Sequence, residues 1–183
     1  MRQQAREGAP RWTEMMQHLD DCVVGLRALA HRDFSVAALH LDAAGRIERE
    51  VGLVASGYLS RIPDAFEAAW RLGSHEDALG ELERFERAMR AVDHTALLGL
   101  AARCRALIAP ITEMDSGFNK ALELLAEEKD GFETARTRLL WGERLRRARR
   151  RSDARKQLTA AQEGFRLLGA LAWAAQCDSE LAA

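Results

Sequence analysis

Apolar residues recur along this chain at the spacing of one face of a helix. The clearest run lies at Ala154, Leu158, Ala161, Phe165 and Leu168, and the same register recurs at Ala78, Leu82, Phe85, Met89 and Val92. Steps of three and four residues keep side chains on one side of an α-helix. Ser74 and Ser152 precede these runs with acidic residues close behind, as expected of N-caps and first helical turns. The pattern predicts amphipathic helices, each with one buried face.

Residues that break or disfavour helices are scarce. Proline occurs only at Pro10, Pro63 and Pro110, and β-branched residues are sparse. A chain of 183 residues is long enough to bury a hydrophobic core without disulfides or metals. We therefore predict an all-α fold built as a single helical domain over residues 1–183.

Two sets of four residues share one internal spacing. A small residue is followed by alanine, leucine and a second alanine after steps of 12, 4 and 3 residues, at Gly25, Ala37, Leu41 and Ala44 and again at Gly142, Ala154, Leu158 and Ala161. Small residues let the axes of two antiparallel helices approach closely, and these positions resemble the tetratricopeptide helical-hairpin pattern. Ala78 with Leu82, and Ala121 with Leu125, mark poorer matches, the second with Glu128 in place of the last small residue.

The repeat predicts tetratricopeptide-like antiparallel hairpins stacked as a short superhelical solenoid. About four hairpins fit the chain, followed by a last helix from about Leu171. Residues 132–183 match the hairpin pattern best. An ordinary helical bundle with accidental small-residue spacing is the alternative.

Charge and cysteine usage narrow the function classes. The 27 basic and 28 acidic residues leave a formal net charge of −1, so any nucleic-acid contact has to be local. The three cysteines have no C-x-x-C spacing, which is typical of a reducing compartment and predicts a cytoplasmic protein. No uncharged apolar stretch is long enough for a signal peptide or a membrane span, so we predict no membrane partner.

Motifs of catalysis are missing from the sequence. It contains no G-x-S-x-G elbow, no H-E-x-x-H zinc pair, no Gly-rich dinucleotide loop and no G-x-x-x-x-G-K-[ST] phosphate loop. The five histidines never pair at metal-ligand spacing. We therefore predict that the chain is not an enzyme and uses no cofactor or metal.

The stretch WGERLRRARRRSDARKQL, residues 141–158, concentrates arginine. It holds seven arginines and one lysine against two acids. On a helix over residues 132–151 the arginines scatter, and four of them lie across from the apolar stripe: Arg136, Arg144, Arg147 and Arg151. Glu143 is spaced to pair with Arg146 and Arg147. The preferred interpretation is a solvated, internally paired helix face. A protein contact and direct nucleic-acid binding are the alternatives.

The last segment carries a more specific set of residues. They are Phe132, Ala135, Arg136, Leu139, Gly142, Leu145, Arg146, Arg147, Asp153, Ala154, Arg155, Phe165, Leu168, Gly169, Ala170, Trp173, Glu180 and Leu181. In this order and spacing the segment resembles the last tetratricopeptide-like region of large LuxR-type bacterial transcription regulators. Residues 1–131 match only as generic helical repeats.

This resemblance implies a sensor or protein-interaction region of a transcription regulator. Such regulators usually carry an N-terminal nucleotide-binding domain and a C-terminal helix-turn-helix that binds promoter DNA. The resemblance therefore implies a protein, peptide or small-molecule effector in a concave groove, with no direct DNA binding by this chain and with homo-oligomerisation left open. A free-standing tetratricopeptide-like adaptor for a peptide or protein partner is the alternative function.

The tetratricopeptide pattern also implies a recognition surface. In such arrays the first helix of each hairpin lines the concave face, at positions one, four and five after its small residue. Carried onto this sequence, the candidate residues are Leu26, Leu29, Glu67, Trp70, Arg71, Glu143, Arg146 and Arg147. Arg146 and Arg147 would offer forks for an anionic group, and Trp70 a stacking face. The competing interpretation is that these arginines pair with Glu143 and that Trp70 packs between repeats.

Overall fold

The computed structural model describes residues 11–51, 61–127 and 130–183. Within these residues the chain forms nine α-helices and no strand, which confirms the all-α prediction. The helices are α1 (Arg11–Ala30), α2 (Phe34–Val51), α3 (Ile62–Leu72), α4 (His75–Ala91), α5 (Thr95–Ile108), α6 (Ile111–Glu127), α7 (Gly131–Arg147), α8 (Arg151–Leu167) and α9 (Leu171–Ala182). The last helix begins at Leu171, as predicted. Glu128, which was placed in the third hairpin, lies outside the described residues.

Five of the turns between helices close in the same way. The first or second residue after the helix takes the left-handed backbone conformation, at Arg32 (φ 62°), Gly73 (79°), Asp93 (51°), Arg149 (62°) and Gly169 (70°). The backbone N–H of the next residue then donates to the carbonyl oxygen five residues before it, at 2.9–3.0 Å. This closure is the Schellman motif, which satisfies helix-end carbonyls and reverses the chain within a few residues.

The chain forms two compact units, Met1–Glu81 and Leu82–Ala183, and the division falls inside α4. Two units that pack separately do not necessarily fold independently. The single-domain prediction therefore stays a prediction, which a melting experiment can test.

In the first unit, α1 and α2 approach closely at a glycine. A Cβ atom added to Gly25 would lie 2.6 Å from the Cγ atom of Leu41, which is far inside van der Waals contact. Gly25 lies five residues before the end of α1 and Leu41 seven residues after the start of α2, so the two positions can meet across antiparallel helices. Leu41 is fully buried, and α3 packs against both helices with Phe66 in the core. The role predicted for the small residue is confirmed here.

The second unit repeats this contact. A Cβ atom at Gly142 of α7 would lie 2.6 Å from the Cγ atom of Leu158 on α8. Helix α9 is held by three aromatic rings, Phe132, Phe165 and Trp173, whose centroids lie 5.7–5.8 Å apart. Together these contacts join α7, α8 and α9 into one packed group.

Two sequence predictions about the arginine-rich region are wrong. Ser152 is not the N-cap of α8, because the helix begins at Arg151 and Arg150 occupies the cap position. Arg136 does not face solvent: its side chain is fully buried, with its guanidinium 4.9 Å from the ring centroid of Trp173 and 3.7 Å from the Glu133 carboxylate. The amphipathic pattern of α7 alone could not reveal α9, which covers this side.

None of the helices described has both the length and the apolar character needed to cross a membrane.

Candidate functional site

The arginine-rich stretch folds as the end of α7, a three-residue turn and the start of α8. Leu145 and Ala154 are buried on either side of this turn, which fixes the two helices against each other. Arg149 sits at the left-handed position of the turn. The backbone therefore brings arginines from both helices and from the turn to one end of the second unit.

Four of these arginines line a pocket of about 580 Å³: Arg146, Arg149, Arg151 and Arg155. The apolar part of the pocket wall is formed by Ala154 and Leu158 of α8 and by Leu181 of α9. Glu180 of α9 is the acidic side chain in the lining. The lining side chains therefore carry four positive charges and one negative charge, a surplus of three positive charges.

Only some of the pocket arginines are neutralised by a carboxylate. The Nε atom of Arg146 donates to the carboxylate of Glu180 at 2.7 Å, and Glu180 is largely buried. Among the described residues, no carboxylate forms an ion pair with Arg149, Arg151 or Arg155. Three guanidinium groups therefore remain available to an anion that enters the pocket.

Two further arginines of the stretch, Arg144 and Arg150, are used for structure. Arg150 binds the carboxylates of Asp115 at 2.6 Å and Asp153 at 2.8 Å, and the hydrogen bond that it donates to Asp115 contributes most to raising the pKa of Arg150. Arg144 donates to the carbonyl oxygen of Ala109 at 2.6 Å. Burial, together with the nearby Arg147, lowers the pKa of Arg144. These contacts separate the pocket arginines from those that tie the helices together.

The recognition surface predicted from the repeat pattern does not form as an open face. Leu29, Glu67 and Glu143 are each only 1% exposed, so the prediction of an accessible surface is wrong for these three. Leu29 lies in the apolar core. Glu67 accepts a hydrogen bond from Arg71, and Glu143 lies on the buried side of α7.

The remaining candidates keep some exposure. Leu26 and Trp70 are half-buried, and the guanidinium of Arg71 lies 5.0 Å from the ring centroids of both Trp70 and Phe34. A guanidinium already covers the Trp70 ring, so stacking of a ligand there would have to compete with it. The role of these residues in recognition stays a prediction.

Arg146 and Arg147 are accessible, but Arg146 has a different partner from the one predicted. It was expected to pair with Glu143, and it binds Glu180 instead. A helix-spacing argument finds partners three or four residues away and cannot see a residue that lies 34 positions along the chain. Arg147 is exposed. The sequence analysis also missed Arg149, Arg151 and Arg155 as a group, because their convergence depends on the turn.

The first unit contains a buried polar network. Arg61, which is 2% exposed, bridges Glu48 at 2.9 Å and Glu81 at 2.5 Å. His18 Nε2 contacts Glu48 at 2.9 Å, and the Sγ atom of Cys22 lies 3.9 Å from the same nitrogen. Substitution of Gly45 by a larger residue would disturb the network, because a Cβ atom there would lie 2.4 Å from the Arg61 guanidinium.

This network has the geometry of a structural ion cluster. A catalytic relay needs thiol and carboxylate on opposite nitrogens of the imidazole, whereas here both approach Nε2. Burial, with the carboxylate of Glu48 as the next cause, raises the pKa of Cys22 to about 12, so the thiol stays protonated at neutral pH. In the described part of the chain, no group of three His, Cys, Asp or Glu side chains is placed to hold a metal ion.

Among the described residues, the pocket at the α7–α8 turn is a site where several charged side chains form no ion pair within the fold. Compared with known proteins, the chain matches no family model, no curated protein sequence and no solved structure.

Proposed function

We propose that this chain is the signal-receiving helical-repeat region of a transcription regulator similar to the large LuxR-type regulators, in which DNA is bound by another domain. The observation that carries the proposal is that residues of the resembling segment contact one another. Phe132 and Phe165 pack on Trp173, and Arg146 binds Glu180. These residues of the resembling segment therefore pack α7, α8 and α9 against one another.

Repetition of a packing contact supports the tetratricopeptide-like part of the proposal. In the first and the fourth pair of helices, a Cβ atom added to Gly25 or to Gly142 would lie the same 2.6 Å from the Cγ atom of the facing leucine. Helical-repeat proteins reuse one such unit along the chain and recognise partners on the surface that the stacked units present. We therefore propose a recognition role rather than a catalytic one.

The placement of the arginines argues against DNA binding by this chain. A DNA-reading helix presents a row of basic side chains to a groove. Here Arg136 is buried, Arg144 and Arg150 bind groups outside α7 and α8, and Arg146, Arg149, Arg151 and Arg155 line a pocket. A formal net charge of −1 adds no long-range attraction to a polyanion.

A transcription experiment tests the proposal. In the native host, an allele carrying Gly142→Val, which disrupts the α7–α8 contact, is compared with a Gly131→Ala allele, whose added Cβ meets only ordinary contacts. We expect Gly142→Val to change transcript levels from a limited set of promoters, and Gly131→Ala to leave them as in the parent. The purified chain should not select these promoter sequences in a DNA-binding assay at ~200 mM salt.

Two results would contradict the proposal. If the Gly142→Val protein is unfolded and transcript levels still do not change, the chain has no role in transcription. The free-standing adaptor would then be the remaining proposal. Selective binding of the purified chain to promoter DNA would place the DNA-reading surface in the chain itself.

A further inference from the structure

We propose that the pocket at the α7–α8 turn binds a small molecule that carries two or more phosphate groups. This inference goes beyond the proposed function and does not depend on it, because a ligand site can be measured whether or not the chain acts in transcription. It rests on the charge, the geometry and the size of the pocket.

The charge of the pocket calls for an anion. Arg149, Arg151 and Arg155 have no carboxylate partner among the described residues, although each lines the same cavity. Like charges that share a cavity repel one another, and a bound anion relieves this repulsion. The excess of positive side-chain charge in the lining favours a ligand with more than one negative charge, as a diphosphate group has near neutral pH.

The residue type and placement favour phosphate. The planar guanidinium presents paired N–H donors that match two oxygens of one phosphate group. Arg151 and Arg155 lie one turn apart on the same helix, and Arg149 comes from the turn before it. Forks at separate positions can hold separate phosphate groups. The amino end of α8 also lies in the wall at Arg151, where the helix dipole favours negative charge.

The size of the pocket favours a small molecule. A volume of about 580 Å³ falls within the range of sites for small ligands and cofactors. Ala154, Leu158 and Leu181 supply apolar surface beside the arginines, which suits a compact organic part attached to the phosphate groups. A nucleic-acid strand would instead need an open track of charges that continues along the surface.

The carboxylate of Glu180 competes with a bound anion for Arg146. This carboxylate neutralises Arg146 at 2.7 Å, so the fourth arginine is occupied until that ion pair is broken. Removing the negative charge of Glu180 should therefore strengthen anion binding. A purely structural role for these side chains predicts no such gain.

Isothermal titration calorimetry on the full chain tests the site, with pyrophosphate, orthophosphate and citrate as probes. We expect pyrophosphate to bind at least about tenfold more tightly than orthophosphate, since a second phosphate group engages a second fork. Citrate tests whether any multivalent anion suffices, and it should bind more weakly than pyrophosphate. The double variant Arg151→Ala/Arg155→Ala should lose about tenfold or more in pyrophosphate affinity.

The matched control is Arg84→Ala/Arg87→Ala, which removes two exposed positive charges from α4. It should change pyrophosphate affinity less than about twofold, because exposed charges outside the pocket act only through screened attraction. Glu180→Gln should raise the affinity several-fold, with a thermal melt run beside it to verify the fold.

Three outcomes would overturn the proposal. They are an absence of pyrophosphate binding to the parent chain, equal losses in the two arginine double variants, and equal affinities for orthophosphate and pyrophosphate. The first removes the site, the second leaves only non-specific charge attraction, and the third removes the requirement for more than one phosphate group.

Discussion

Gly142 shows how one missing side chain fixes a helix pair. Helix propensity alone favours alanine over glycine by ~1 kcal/mol. At this position the added Cβ would lie 2.6 Å from Leu158 Cγ and 3.4 Å from the carbonyl oxygen of Ala154. We therefore expect Gly142→Ala to lower the free energy of unfolding by about 1–3 kcal/mol, the usual cost of overpacking. Urea denaturation followed by circular dichroism measures this change.

The control for this prediction is Gly131→Ala, at the first residue of α7. The nearest atom to its added Cβ is Leu168 Cδ1, at 3.7 Å, which is an ordinary contact. This variant should be neutral or slightly stabilising. If Gly142→Ala behaves in the same way, the α7–α8 contact is looser than the structure indicates.

The buried thiols of Cys22 and Cys177 should resist alkylation. Burial is the main cause that raises the pKa of each to about 12, and nearby carboxylates add to it. An exposed cysteine has a pKa near ~8.5 and reacts as the thiolate. We expect no labelling of either residue by iodoacetamide at pH 8.5 in the folded chain and complete labelling in denaturant. Mass spectrometry of peptides reads out both states.

The same shift gives the folded state a defined dependence on pH. The unfolded thiols lose their protons near pH ~8.5, while the folded thiols keep theirs up to about 12. Their contribution to stability is complete below pH ~8.5 and is lost as the pH rises toward 12. Rapid labelling of the native chain at pH 8.5 would contradict both the burial and this dependence.

At the residue scale, the sequence predicts apolar contacts better than buried charges. Gly25 and Gly142 could be assigned to close helix contacts because a repeated spacing identifies them. The burial of Arg136 and Glu143 could not be predicted from α7 alone. A charged residue becomes buried when other helices cover it, and Trp173, which covers Arg136, lies 37 residues away on α9.

At the scale of the elements, Arg61 connects the helices of the first unit. Its guanidinium joins Glu48 of α2 to Glu81 of α4, and it is almost completely buried. Arg61→Ala leaves two partly buried carboxylates without this partner, so we expect a loss of about 3–5 kcal/mol in the free energy of unfolding. Arg61→Lys should restore little of it, because a single ammonium group cannot bridge both carboxylates in this fork geometry.

Arg49 offers a matched control on the same carboxylate. It lies 3.8 Å from Glu81, but its side chain is 65% exposed. Arg49→Ala should cost less than ~1 kcal/mol, as is usual for solvent-exposed ion pairs. Equal losses for Arg49→Ala and Arg61→Ala in urea denaturation would show that burial does not decide the contribution of these arginines.

Element boundaries follow the sequence where local chemistry sets them. The start of α9 at Leu171 was predictable because the turn signal at Gly169 precedes an apolar run. The N-cap of α8 was predicted two residues too late, at Ser152 instead of Arg150. Arg150 occupies the position before the helix and is held there by Asp115 from α6, a contact that local preferences for serine cannot anticipate.

At the scale of the whole molecule, the two compact units raise the question of cooperativity. Helix α4 is continuous across the division between Glu81 and Leu82, so unfolding of either unit would break a shared helix. We expect one unfolding transition in scanning calorimetry, with calorimetric and van't Hoff enthalpies in agreement. Gly25→Ala and Gly142→Ala, one in each unit, should both lower this single melting temperature.

Separate transitions, each moved by only one of the two variants, would contradict the single-domain prediction.

The fold class was predictable for the molecule as a whole, but the pocket was not. Sparse proline and helical periodicity are spread along the entire chain and therefore suffice for an all-α prediction. The pocket is lined by residues from the segment 146–158 and by Glu180 and Leu181, which are distant from that segment in sequence. Its formation depends on the angle at which α9 meets the α7–α8 turn, and one-dimensional spacing does not contain that angle.

The repeated turn closure also determines which evolutionary changes the chain can accept. Four of the turns hold three residues between helices, at 31–33, 92–94, 148–150 and 168–170. A substitution at the left-handed position keeps this length, and arginine, aspartate and glycine all occur there. An insertion or deletion of one residue, if it extended or shortened the following helix, would rotate that helix by ~100°. Leu158 would then turn away from Gly142. These turns should therefore vary in sequence among descendants of this chain while keeping their length, unlike most surface loops.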